Sequence, residues 1–205
     1  MRYILRPMEP DDVPVVAAID RLSFPTPWPA SAFRHELQRK RAHYYVLLRS
    51  DEDEATSSGR GWARWARRFF DAERGSRTVG YVGFRLQGSG GHITTIAVHP
   101  EFRGRGLGDL LLLAALDKMQ ARGVDVVTLE MRPSNGIAYQ LYRKYGFEVK
   151  RREFGYYRDG EDAWVMAVEV EDVPYRDRLS ERRQALERRL RRAEVGIGQK
   201  DSDPL

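Results

Sequence analysis

The run with the clearest chemical potential is Arg103-Gly104-Arg105-Gly106-Leu107-Gly108, set between an apolar stretch, Thr95-Ile96-Ala97-Val98, and a leucine-rich segment. Glycines let the main chain approach a ligand, and the first N–H groups of a helix lack partners within it, so this junction favours an anion such as a pyrophosphate. Two familiar phosphate-binding patterns fit poorly. No Lys-Ser or Lys-Thr follows the last glycine, and the loop lies mid-chain after several strands instead of opening a first βαβ unit. Three glycines alone also suit a tight turn; their position between a strand and a helix favours the ligand. Further along, Glu130 stands near the end of an apolar segment, and Tyr139, Tyr142 and Tyr145 recur every three residues. Such groups can act as general base and acid. His35, His43, His92 and His99 show no paired ligand spacing, so no metal site is expected.

Elements that would position these residues follow from periodicity and punctuation. Tyr3-Ile4-Leu5-Arg6 reads as a strand, and Glu9-Pro10-Asp11-Asp12 opens a helix running to about Leu22. Three prolines make Phe24-Pro25-Thr26-Pro27-Trp28-Pro29 a loop. A helix from Ser31 to Arg41 and a strand over residues 43–48 come next. Residues 50–77 read as an insertion in a strand connection. Strands over Thr78–Leu86 and His92–Val98 form a hairpin around Gln87-Gly88-Ser89-Gly90-Gly91. A helix from Leu107 to Arg122 carries leucines all round, and Gly123 ends it. Val124–Met131 is a near-continuous apolar strand, expected to be buried on both faces. A helix from Ser134 to Tyr145 precedes an antiparallel pair, 147–157 and 163–170, around Asp159-Gly160. The fold class expected is α/β (α+β), one mixed sheet flanked by helices.

The chain has 205 residues, a net charge of +5 and no cysteine. That length suits one domain with appendages. The absence of thiols excludes disulfides, thiol catalysis and sulfur-ligated zinc. Neither a signal-like apolar run nor a membrane-length stretch is visible, so a cytoplasmic enzyme with no membrane partner is expected. The positive excess is concentrated at 60–77 and 176–192. In the latter, eight arginines face three acidic residues, with Leu179, Leu186 and Leu190 at helical spacing. A basic amphipathic helix within 174–205, ending in a disordered tail, is the expectation, and it leaves a nucleic-acid contact open.

The glycine loop resembles the acetyl-CoA loop of the GNAT superfamily. The likeness is joined by Leu129-Glu130-Met131-Arg132-Pro133-Ser134-Asn135, Ala138-Tyr139-Gln140-Leu141-Tyr142, Tyr145-Gly146-Phe147 and Tyr156-Tyr157-Arg158-Asp159-Gly160-Glu161-Asp162-Ala163. In that order, and with Phe24-Pro25-Thr26-Pro27-Trp28 before them, these motifs are similar to the bacterial ribosomal-protein alanine N-acetyltransferases (RimI) and the archaeal N-terminal acetyltransferases. The resemblance spans residues 1 to about 171, so 1–173 is taken as a GNAT acetyltransferase domain carrying the 50–77 insertion. It implies a GNAT fold with a mostly antiparallel central sheet, and acetyl-CoA as co-substrate.

The same resemblance implies roles. Backbone at Ile96, Ala97 and Val98 would hold the pantetheine and thioester, and residues 103–108 (Arg103, Gly104, Arg105, Gly106, Leu107, Gly108) the pyrophosphate. Glu130 would be the general base and Tyr142 the acid at the CoA sulfur. Asn135 would touch CoA while capping its helix. Phe24, Pro25, Tyr156 and Tyr157 would wall the peptide entrance. Each residue also has a plainer reading: a polar strand-edge residue for Glu130, core packing for the tyrosines and Phe24. An α-amine, with a pKa near ~8 against ~10.4 for lysine, is neutral over about a hundred times more often near neutral pH. That favours a protein N-terminus, ideally a ribosomal-protein alanine, as acceptor. A small-molecule amine or lysine acceptor, and a basic ribosome- or RNA-binding module with a vestigial CoA site, remain as alternatives. Pro29 and Ala30 depart from many relatives, where Ser or Thr and an acidic residue follow the tryptophan.

Overall fold

The computed structural model describes residues 2–50, 70–71 and 76–198; most of the 50–77 insertion and the last seven residues of the tail fall outside these. The strands are β1 (Arg2–Pro7), β2 (Ala42–Ser50), β3 (Phe70–Asp71), β4 (Ser76–Gln87), β5 (Gly90–Val98), β6 (Val126–Met131), β7 (Glu148–Glu153) and β8 (Ala163–Glu169). They order as β1-β2-β4-β5-β6-β8-β7, with β3 pairing beside β4. Only the β5–β6 pair is parallel among the described strands. The expected mixed, mostly antiparallel sheet is therefore the one observed. The helices are α1 (Val13–Ser23), α2 (Ala30–Leu37), α3 (Leu107–Gln120), α4 (Gly136–Lys144) and α5 (Val173–Gly198).

Alternation in β2 divides the core between the two faces of the sheet. Tyr44, Val46 and Leu48 pack with Val13, Val16, Ile19 and Phe33 of α1 and α2. Tyr45 and Leu47 belong to the other layer, with Leu111, Leu112 and Leu116 of α3. Period-2 strands between amphipathic helices require this arrangement, since each apolar face must be covered. Both α3 and α5 lie in the second layer, where Tyr175, Leu179 and Leu186 of α5 are buried.

Where β5 meets β6 the sheet parts. Their ladder runs from Gly90–Val126 to Ile93–Leu129 and stops, while β5 continues to Val98 against β4. Thr94 has no opposite number in the β4–β5 register, which passes from Phe84–Ile93 to Gly83–Thr95. This bulge bends β5 as the two parallel strands diverge. Residues 95–98 thus have ladder partners on one side only among the described residues.

Several boundaries differ from expectation. Residues Pro10–Asp12 form a 3-10 turn leading into α1. The strand before the Asp159-Gly160 turn ends at Glu153, and the Asp162 carboxylate accepts from Gly155 N at 2.7 Å. Strand β6 is not buried on both faces. Val127, Leu129 and Met131 enter the core, while Val126, Thr128 and Glu130 keep solvent access. Its apolar run concealed an alternation, because Val126 is an apolar residue on the open side.

Candidate active site

The glycine loop joins β5 to α3 by way of a 3-10 turn, Pro100–Phe102, with Phe102 buried beneath it. Gly104 and Gly106 adopt φ of 76° and 84°, a left-handed backbone that L side chains enter only with strain. Gly106 is the N-cap of α3 and has no side chain with which to cap it. Among the described residues, the N–H groups of 104–108 find no protein acceptor. A row of free donors at a helix N-terminus is what a pyrophosphate needs, so these residues fit the phosphates of a CoA thioester. The side chains of Arg103 and Arg105 turn away. Arg103 donates to Val98 O and Ser23 Oγ, both at 3.0 Å, and Arg105 donates to Glu101 O at 3.2 Å while lying over the Phe102 ring.

Glu130 projects from the open side of β6 just past the point where β5 and β6 separate. Its Oε2 lies 3.2 Å from His92 Nε2 on β5. His92 Nδ1 is 3.0 Å from Thr128 Oγ1. The Thr128 hydroxyl that meets Nδ1 also donates to Gly91 O at 3.4 Å, so the ring is held from both of its nitrogens. Parallel register sets His92 opposite Thr128, and Glu130 lies two residues on, on the same face.

The three tyrosines of α4 separate by environment. Tyr139 packs against Trp164, with ring centroids 5.2 Å apart. Tyr145 donates to Asp109 Oδ1 at 3.2 Å, and its carbonyl accepts from Tyr175 OH at 2.9 Å. Tyr142 is buried against Phe147, yet no partner for its hydroxyl is found among the described residues. Burial pushes the Tyr142 phenol well above its ordinary range, and Tyr157 adds to the push. Asn135 caps α4, its Oδ1 accepting from Ala138 N at 3.1 Å.

Two walls flank this region. Tyr156 and Tyr157 stand edge to face, centroids 5.1 Å apart. Burial raises both phenols, Tyr157 to about 12, and the Glu130 charge contributes to each. On the other side, Phe24 is half-buried beside α1, and Pro25 is exposed. Arg132 joins the two sides. Its Nη2 donates to Thr26 Oγ1 at 3.1 Å, its Nη1 to Asp159 at 3.0 Å and Glu161 at 2.6 Å, and its guanidinium lies 3.8 Å from the Tyr157 ring centre.

The family model described as the acetyltransferase (GNAT) family matches residues 14–147. The chain belongs to the GNAT acetyltransferase family. It is similar to the putative ribosomal protein bS18-alanine N-acetyltransferase of Bacillus subtilis, 31% identical over 170 residues that cover 82% of this chain and 96% of that one. An N-alpha-acetyltransferase of Sulfurisphaera tokodaii is 30% identical over 179 residues, covering 81% and 92%. Among solved structures, the ribosomal-protein-S18-alanine N-acetyltransferase of Escherichia coli superposes with a TM-score of 0.65 at 25% identity, over 84% of this chain and 96% of that one.

This GNAT member is an acetyl-CoA-dependent N-acetyltransferase. Glu130, on the open face of β6, is coupled electrostatically to Tyr156 and Tyr157, whereas Tyr142 packs in the core layer that holds Leu129, Met131 and Phe147. Two residues that sequence reasoning passed over belong with them. His92 appeared only as a scattered histidine, and its pairing depends on the register of two distant strands. Asp20, 1% exposed, accepts from Trp28 N at 2.6 Å and from the Tyr81 hydroxyl, and so ties down the proline-rich loop. Burial raises its carboxyl despite both hydrogen bonds. No local pattern marks Asp20. Among the described residues there is no cluster fit for a metal, and no helix is long and apolar enough to cross a membrane.

Proposed function

We propose that this enzyme acetylates the N-terminal α-amine of a protein, with a ribosomal-protein alanine as its natural acceptor, in keeping with the names of its relatives from B. subtilis and E. coli. Glu130 carries the proposal, held by His92 where β5 and β6 part and electrostatically coupled to Tyr156 and Tyr157 of the peptide wall. The roles follow from what the residues can do. Glu130 removes a proton from the attacking amine, directly or through a water, and His92 holds the carboxylate in place. Tyr142, its phenol kept protonated by burial, returns a proton to the departing sulfur. Free N–H groups at 104–108 and the edge of β5 at Ile96, Ala97 and Val98 hold the cofactor, which supplies the activated acetyl group. Asn135 caps the start of α4, the helix that carries Tyr142.

A single carboxylate suits an α-amine better than lysine, because far more of the α-amine is already neutral near pH 7. The deciding experiment incubates the enzyme with acetyl-CoA and peptides that differ only in their first residue, then locates the acetyl group by mass spectrometry. Acetylation of the α-amine, strongest for an alanine start, is expected. Modification confined to lysine would overturn the proposal.

A further inference from the structure

The basic helix α5 lies beyond the matched segment 14–147, and it is not a loose appendage. It runs antiparallel to α3. Tyr175, Leu179 and Leu186 are buried, and Arg183 donates to Asp117 at 2.6 Å near the C-terminal end of α3. Six residues on, Arg189 reaches the other end. Its Nη2 lies 3.2 Å from Asp109 Oδ2 in the first turn of α3, and an ideal Cβ built on Gly106 would come within 1.9 Å of that same nitrogen. The guanidinium therefore rests against the backbone of the N-cap glycine, beside the free donors of the loop. Leu186, three residues earlier, anchors the helix one turn away, so the packing of α5 holds Arg189 there.

The charges at this point do not balance. The N-terminus of α3 carries about half a positive charge. One carboxylate, Asp109, serves two cations, Arg189 and Lys144, and also accepts from the Tyr145 hydroxyl. The dipole disfavours a guanidinium at a positive helix end, and an anion between the two would be attracted by both. Its planar fork suits two phosphate oxygens in a way a lysine does not.

We propose that Arg189 is a ligand for the pyrophosphate of acetyl-CoA, completing from an appended helix the anion site that the Gly104–Gly108 loop begins. The proposal rests on acetyl-CoA as donor and is independent of the acceptor. In this account α5 is part of the cofactor site, and the basic character of the helix near its middle serves a small-molecule anion.

Calorimetry on the full chain tests it, with acetyl-CoA, acetyl-3′-dephospho-CoA and, by competition, S-acetylpantetheine, against wild type, Arg189→Ala and Arg189→Lys. The alanine variant should bind both pyrophosphate-containing donors about tenfold more weakly, with S-acetylpantetheine unchanged, and the lysine variant should fall between. Four results would overturn the proposal. A loss seen with acetyl-CoA and absent with the dephospho form would assign Arg189 to the 3′-phosphate. An equal loss for all three compounds would make it a packing residue. Tighter binding by Arg189→Ala would make it an obstruction, and unchanged binding of every donor would leave it no part in the site. Failure of wild type to bind acetyl-CoA would instead contradict the enzyme assignment.

Discussion

Arg132 Nη2 donates to Thr26 Oγ1 at 3.1 Å, joining the residue that follows β6 to the proline-rich loop 106 positions earlier. Because the same guanidinium also holds Asp159 and Glu161, it fixes the proline-rich loop and the turn before β8 relative to the Glu130 strand. Arg132→Ala should therefore raise the KM for peptide by about tenfold, the lower value of one charge-assisted hydrogen bond, and leave the Kd of acetyl-CoA unchanged. Thr26→Val, which keeps the shape and removes one acceptor, should show a smaller shift in the same direction. Equal losses for peptide and cofactor would point to general unfolding.

A pH effect on stability follows from the same cluster. Arg132 is the first cause holding the Asp159 carboxyl below its usual range, and Ser134 with Arg132 does the same for Glu161. A carboxylate whose folded pKa is depressed adds stability that is present above its unfolded pKa and lost as pH falls through the folded one. Wild type should thus lose stability in acid, on going below about pH 4. In Arg132→Ala that acid limb should be flatter. Thermal melts from pH 7 to pH 2.5 measure the difference, and parallel curves would contradict it.

The Glu130–His92 contact predicts a division of labour. Glu130→Gln should lower kcat by about 10²–10⁴-fold, most severely at low pH, where the α-amine is mostly protonated and needs a base. His92→Ala should lower kcat less, since the carboxylate remains and only its placement is lost. Neither change should affect acetyl-CoA binding. Rate profiles from pH 6 to pH 9.5 check this, and a Glu130→Gln profile proportional to wild type would remove the base role.

For Tyr142 the direction of the shift fixes what a profile should look like. Its phenol is raised above the ordinary tyrosine range, so the proton it donates is retained throughout the working range. Tyr142→Phe should lower kcat by about 10²-fold or more without moving the limbs of the pH profile. A wild-type activity that falls near pH 10 and becomes flat there in Tyr142→Phe would mean that the group titrates where burial says it does not.

What the sequence made legible was local. A strand, three glycines and a helix start are contiguous, so the loop and its anion chemistry could be read from residues 95–108 alone. Glu130 and Tyr142 stood out through the motifs around them. His92 did not, because nothing within a few residues of it predicts that β5 and β6 run in parallel with His92 opposite Thr128. Asp20 and Arg132 depend on contacts across the whole chain. The alternation of β6 was hidden because Val126 faces outward, where an apolar side chain is tolerated at a strand end. Leucine spacing in α5 gave helicity; which arginine meets the loop depends on how α5 lies along α3.

Two glycines of the loop provide a last comparison, because they share a backbone strain and differ in surroundings. Gly104 and Gly106 both have positive φ, so alanine at either should cost about 1–2 kcal/mol. A Cβ at Gly104 would meet nothing within 4 Å, and Gly104→Ala should show that strain alone. At Gly106 the Cβ would occupy the place of Arg189 Nη2, so Gly106→Ala must also displace the guanidinium. Its melting temperature should match that of Gly104→Ala, while its affinity for acetyl-CoA falls further. If that extra loss comes from moving Arg189, Gly106→Ala combined with Arg189→Ala should bind no more weakly than Gly106→Ala, the two losses sharing one cause. Fully additive losses would mean that Gly106 and Arg189 act on the cofactor separately.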